Sequence, residues 1–525
     1  MKNYKLRHMK RKNKLHSVNK SVLVVVFLII IVTFVLLNVK KDAENDYNII
    51  LISLTNVGAN HLGLYGYERN TSPNIDAFAE ESLVFDNFFT HASWTLPSGI
   101  SLFTSLYPYQ HKVMDRSFNE KGEPEDTLSS DIITLIDLLN DNGYVTGAFT
   151  GGFDYRPIFG LTNRFDFYFT PEEKTPLKGI INSELLQKRR LGHMVNAIPD
   201  ALEWINNHKK KKFFLFLQGY DTHCPFSPKQ PYDKIFVNFT LEDTILDPAY
   251  CYRSFNNNGT LVSFTTILVN QTQSRLFIPI NLSEKELEFL EAQYDAEIRY
   301  VDDNVGNFIN ELKNKGILDN TIIILLSEHG EMFAKNGRFG RAGRIRGTLY
   351  DDVVHVPLII LHPEFKPDRT DEFVQIIDIM PTLLDFVGIP IPMNLQGKSI
   401  LPLIKDNEIL HEEIYGGSVY GKLIFEFYEY QTINEFIRNK EFKLIHEIVQ
   451  FTDGSTEEIY ELYDLSVDKA EQNNIASKEN GIVDELKEKL GKWSKKMNPF
   501  IELEKNVNVK KALILNNITS NRVHK

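Results

Sequence analysis

Cysteine is almost missing from this 525-residue chain, with Cys224 and Cys251 as the only pair. No disulfide framework can therefore hold the fold together, although the two can join in an oxidising compartment or remain as thiols. A basic stripe with interleaved aromatics is also missing outside the N-terminus. Residues 1–41 carry ten Lys/Arg and no acid, so with a net charge of −12 the remainder stands at about −22. Such a body repels nucleic acid, which leaves no nucleic-acid partner to expect. The N-terminal apolar run has no Ala-x-Ala-like cleavage site behind it; it ends Asn38-Val39-Lys40-Lys41, which argues against a removed signal peptide. What is present is ordinary for a globular protein, 42% hydrophobic and 24% charged residues. The length suits one large α/β domain plus a smaller one.

The first 20 residues form a basic tail. Val22 to Val39 then reads almost entirely as Val, Ile, Leu and Phe, and about 18 residues at 1.5 Å each cover the bilayer hydrocarbon. Residues 21–39 are expected to be an uncleaved transmembrane signal anchor, with the tail cytoplasmic and everything from about residue 42 extracytoplasmic.

Beyond the anchor, apolar runs alternate with helix-period segments. Ile49–Leu54 reads as a buried parallel strand that stops at Thr55-Asn56. Ligands gather at the carboxyl ends of such strands. Ser93-Trp94-Thr95-Leu96-Pro97-Ser98-Gly99 puts hydroxyls just before an apolar helix, whose N-terminus favours an anion. Further strands are expected at Tyr144–Phe149, Phe213–Leu217, Thr321–Leu326 and Val356–Leu361, the second of them ending at Gly219-Tyr220-Asp221-Thr222-His223. Thr321–Leu326 runs into Ser327-Glu328-His329-Gly330. Ser283 and Glu286 form a capping-box signature ahead of a helix reaching Leu312. Residues 228–282 lose clear periodicity and read as an irregular insertion over the site.

Leu51-Ile52-Ser53, His61-Leu62-Gly63, Tyr65-Gly66-Tyr67, Ser72-Pro73-Asn74-Ile75-Asp76 and Ser93 to Ser98 together resemble the sulfatase branch of the alkaline phosphatase superfamily. Glu461-Leu462-Tyr463-Asp464-Leu465 and the following Glu471 to Asn474 resemble its C-terminal subdomain. The likeness implies a large mixed, mostly parallel sheet flanked by helices over 47–405, a small α+β subdomain over 406–498, and a tail over 499–525.

The resemblance also assigns a site. A divalent cation (Ca, Mn, Mg or Zn), weak or absent, is implied at Thr55, Asn56, Glu328 and His329, with Thr95 as nucleophile. Thr55 replaces a carboxylate, Asn56 adds an oxygen without charge, and Glu328 is one methylene longer than the usual Asp. Affinity for a hard cation follows ligand charge, so this set binds one poorly unless substrate completes it. Formylglycine is excluded, because threonine cannot be oxidised to an aldehyde and Gly99 stands where formylglycine sulfatases have Arg. Thr95 is then either an alcohol nucleophile or a hydroxyl capping the next helix. His223 is a general acid or anion contact, or a histidine packing a strand-end turn. Arg346 is a contact to sulfuryl or phosphoryl oxygens, or part of a solvated basic loop with Arg338, Arg341 and Arg344.

The expected function is a membrane-anchored hydrolase or transferase of sulfate or phosphate esters, acting on a small molecule, glycan or lipid headgroup. The alternative is a pseudoenzyme that binds such an anion, or a protein, without turnover.

Overall fold

The computed structural model describes residues 46–497 except 115–118, 120, 153, 171–191, 225, 238, 240–260, 270–271, 281–282, 334–348, 421–429 and 452–454. The expected anchor at 21–39 and tail at 499–525 lie outside them. Among the described residues no helix is long and apolar enough to cross a membrane.

Strand β1 (Asn48–Ser53) lies in the middle of an eight-stranded sheet. Its neighbours are β5 (Phe213–Gln218) and β8 (Thr321–Leu326), both parallel to it. Outward from β5 come β3 (Val145–Phe149) and β4 (Phe167–Phe169), again parallel. Outward from β8 come β9 (Leu358–Leu361), β2 (Leu83–Phe89) and β10 (Asp368–Gln375). β9 runs antiparallel to both β8 and β2, while β2 and β10 pair in parallel. The sheet is therefore mixed and mostly parallel.

Near-continuous apolar runs are what a sheet covered on both faces requires. Ile49, Leu51, Phe214, Phe216, Ile322 and Ile324 enter one buried cluster, and Ile50, Ile52, Phe213, Leu215, Ile323 and Leu325 the other. Alternate side chains of one strand thus serve opposite layers. Pro73–Ala79 (α1), Met194–His208 (α4) and Glu284–Asn314 (α5) contribute to the second cluster. Thr95–Thr104 (α2), Leu135–Asp141 (α3) and Ile379–Phe386 (α6) contribute to the first. The capping box before α5 is present as read, with Ser283 and Glu286 each closing on the other's backbone.

Residues 228–282 are not wholly irregular. β6 (Leu261–Val269) and β7 (Thr272–Ile280) pair as an antiparallel hairpin. Their Val, Ile, Thr and Phe content favours strands even where strict alternation is lost.

The later part of the chain forms an antiparallel sheet of β11 (Ile414–Tyr420), β12 (Tyr430–Arg438), β13 (Phe442–Phe451) and β14 (Thr456–Asp464). Helix α7 (Asn480–Met497) packs with it and sends Trp493 against Tyr107, Tyr109 and Tyr415. Gln110 Nε2 also donates to the carbonyl of Met497. Lys443 is wholly buried between Asp351 Oδ1, at 2.7 Å, and Glu471 Oε1, at 2.8 Å. Arg438 adds a contact to Asp351 Oδ2 at 3.1 Å. Cys224 is disulfide-bonded; Cys251 lies outside the described residues.

Candidate active site

Register brings the site together. Ser53 stands opposite Leu326 on one side and Gln218 on the other, so β8, β1 and β5 end level with one another. Leu54 N–H continues the ladder to Leu326 O at 2.8 Å. Two residues past each of these strand ends, Thr55 and Glu328 fall side by side. Thr55 and Asn56 have φ of 39° and 67°. Asn tolerates this left-handed region, but for a β-branched residue it is strained, and such strain gathers at functional sites.

Thr95 is the first residue of α2, and the N-cap position belongs to Trp94. The Thr95 hydroxyl is therefore not the helix cap. Instead Thr95 Oγ1 lies 3.1 Å from His329 Nε2. The other ring nitrogen, Nδ1, is 3.0 Å from the carbonyl oxygen of Gly330. A carbonyl only accepts, so Nδ1 carries a proton, and in the neutral form of the ring Nε2 is then the nitrogen that can accept from Thr95. Gly330 is needed here, since a Cβ would meet the Asp352 carbonyl oxygen at 2.2 Å.

Glu328 is fully buried, and its Oε1 accepts the Tyr155 hydroxyl at 2.7 Å. Burial pushes the Glu328 carboxyl above its usual pKa, against the opposing effect of Ser53, Tyr155 and Thr55. Burial and the nearby carboxylate also drive the Tyr155 phenol well up, so it stays a donor. The Ser53 hydroxyl is close enough to influence Glu328 without making a hydrogen bond of ordinary geometry.

Gln218 Nε2 donates to Thr55 Oγ1 at 2.6 Å, and its Oε1 accepts the Gly151 N–H at 3.0 Å. Asn56 Nδ2 donates to Glu331 Oε2 at 2.9 Å and to the Thr222 carbonyl at 2.8 Å. The Thr222 hydroxyl returns a hydrogen bond to the Thr55 carbonyl. The β5 loop is thus tied to the tip of β1. His223, next in that loop, stacks on Tyr220 at 4.3 Å and points Nδ1 at the Cys224 carbonyl, 2.7 Å away.

The structure therefore brings Thr55, Asn56, Glu328, His329 and Thr95 to one end of the sheet, with His223 in the adjoining loop. Arg346 lies outside the described residues. Tyr155, Gln218 and Glu331 belong to the same group and carried no signal beyond, for Gln218, its place at a strand end.

These groups do not fit a hard divalent cation. Such ions take about six to eight oxygens, many from carboxylates. Here the Thr55 oxygen and one Glu328 oxygen already accept N–H or O–H bonds, and Asn56 turns its NH2 to its neighbours. Among the described residues no three or more His, Cys, Asp or Glu stand grouped as around a metal ion. Glu328 Oε2 and Asn56 Oδ1 remain as buried acceptors without a partner.

Comparison with known proteins gives two family matches. Residues 47–389 match the sulfatase model, and 345–496 match the N-sulphoglucosamine sulphohydrolase C-terminal model. An arylsulfatase K of Bos taurus is 31% identical over 453 residues, covering 80% of this chain and 76% of that protein. An N-acetylglucosamine-6-O-sulfatase of Bacteroides thetaiotaomicron is 24% identical over 508 residues, covering 84% of each. In fold, the chain is similar to a protein solved with its substrate D-glucosamine-2-N,6-O-disulfate (TM-score 0.63, 20% identity, 88% of this chain and 100% of that one). It is also similar to the phosphonate monoester hydrolase of Agrobacterium radiobacter (TM-score 0.62, 20% identity, 86% and 96% covered).

Proposed function

Because the chain belongs to the sulfatase family, we propose that it cleaves or transfers a sulfate or phosphate ester with Thr95 as nucleophile and His329 as general base. The observation that carries this is the 3.1 Å contact from Thr95 Oγ1 to Nε2 of His329. In the first half-reaction Oγ1 bonds to sulfur or phosphorus and the bond from that atom to the leaving oxygen breaks, its electron pair going with the leaving oxygen. The Thr95 proton passes to Nε2 and from there to the leaving oxygen, so an alcohol departs. Water, or an acceptor alcohol, then attacks the threonine ester and restores the hydroxyl. The N-terminus of α2 supports the anionic group in both steps. In this reading His223 and Arg346 contact the transferred group or its leaving oxygen.

The substrate class is a sulfated or phosphorylated sugar, glycan or lipid headgroup, in line with the sugar sulfates named for the relatives. Residues 21–39 anchor the protein, and the domain from 46 onward works outside the cytoplasm, which suits a disulfide-bonded Cys224. A second reading, an anion-binding protein without turnover, draws on Thr55 standing where a carboxylate is expected.

The test is an assay of the full-length protein in detergent on aryl sulfate, aryl phosphodiester and phosphonate monoester. Turnover should fall at least about a thousandfold in Thr95→Ala. Binding of a sulfated disaccharide by the wild type with no turnover of any ester would favour the second reading instead.

A further inference from the structure

The hydrogen-bond donors around Glu328 and Thr55 come from the chain itself. Tyr155 enters from the loop after β3, with its ring edge-on to Phe216 of β5 at 5.0 Å. Its hydroxyl donates to Glu328 Oε1 at 2.7 Å. The same hydroxyl fills the space beside position 99, where a Cβ would stand 2.4 Å from it. One phenol thus engages the strand-end carboxylate and closes the volume that a side chain on the first turn of α2 would need.

On the opposite flank Gln218 holds Thr55 Oγ1, and its orientation is set by the Gly151 N–H on its oxygen. An oxygen that coordinates a cation turns a lone pair to the ion, whereas these accept protons from a phenol and an amide. The buried oxygens left over, Glu328 Oε2, Asn56 Oδ1 and Ser53 Oγ, include a single carboxylate oxygen, which is little charge for a hard ion.

We propose that Tyr155 and Gln218 stand in for the divalent cation in this pocket: they hold Glu328 and Thr55 in place, and His329 readies Thr95 without a metal ion. Tyr155 is then a positioning residue, acting through Glu328. The inference rests on Thr95 and His329 being the reacting pair.

The test starts with plasma mass spectrometry of full-length protein purified without chelator. Calorimetric titration of Ca²⁺, Mn²⁺ and Zn²⁺ into the wild type and into Thr95→Ala follows. Both proteins should carry well under one equivalent of metal and bind each ion no tighter than about 1 mM. Chelation should leave the turnover of the wild type unchanged. Tyr155→Phe should lower kcat roughly tenfold to a hundredfold with KM changed less than about twofold, while its melting curve stays cooperative. One tightly held equivalent of metal, loss of turnover on chelation, or an unaltered kcat in Tyr155→Phe overturns the proposal. Should no ester be turned over, the function proposed above fails, and the metal measurements on the two proteins still decide this one.

Discussion

At position 99 the missing side chain and the tyrosine in its place are two halves of one arrangement. Gly99→Ala would drive a methyl group against the Tyr155 hydroxyl and ring, the nearest atoms at 2.4 and 2.9 Å. A buried ring gives way poorly, so the expected loss is about 1–3 kcal/mol in urea unfolding. Adding Tyr155→Phe removes the closest atom and should recover part of it; no recovery would mean the strain lies elsewhere. That Thr55, Asn56, Thr95, Glu328 and His329 lie at strand or helix ends was legible beforehand from local pattern, the tip of a buried strand or a hydroxyl opening a helix, while the roles given to them came from the family resemblance. Tyr155 was not, since it sits in a loop without periodicity. Its role depends on a contact made 173 positions away in the chain. Gln218 was hidden in the same way, as the polar end of an apolar run whose importance follows only from its register with Ser53.

Among the elements, α5 was the easiest to read, because its capping box and its apolar spacing agree. The positions of β1, β3, β5, β8 and β9 in the main sheet were also legible, those of β4 and β10 were not, and no strand's direction could be read from its run. An apolar run such as Leu358–Leu361 has no arrow in it, and only the pairing shows β9 antiparallel to its neighbours. The β6–β7 hairpin escaped because its polar and apolar residues do not alternate cleanly. Helix α5 also binds α1 end-on. Asp302 accepts the N–H groups of Asn74 and Ile75 and the Asn74 side-chain amide, at 2.7 to 3.1 Å. Burial, only partly opposed by these bonds, raises the Asp302 carboxyl to about 6. The folded protein then keeps this proton above pH 4, where the unfolded chain releases it, so stability falls as pH rises from about 4 to 6. Roughly 3 kcal/mol is expected from this group. Asp302→Asn should flatten that part of a melting-temperature profile; an unchanged slope would show that another group sets it.

For the molecule as a whole, the antiparallel sheet is joined to the larger one through buried charge. Lys443 on β13 meets Asp351 and Glu471, and Arg438 shares Asp351. Burial works against ionising Asp351, but Arg438, Lys443 and His355 hold its pKa below the usual carboxylate range. Glu471 is pushed the other way, chiefly by its own burial. Removing the cation leaves two carboxylates to share a dry site, so Lys443→Met should cost about 3–5 kcal/mol. A drop of less than about 1 kcal/mol in denaturant unfolding would mean the cluster adds nothing at this junction. The seating of α7 has a different kind of consequence. Trp493 covers Tyr107, and Gln110 bonds to Met497, partners 387 positions apart. During synthesis at about 5–20 residues per second, the stretch following α2 must wait roughly 20 to 80 s for its cover to be translated. A nascent chain therefore holds Tyr107 and Tyr109 without their Trp493 cover for most of its time on the ribosome, and premature termination anywhere before α7 leaves that side of them open to solvent.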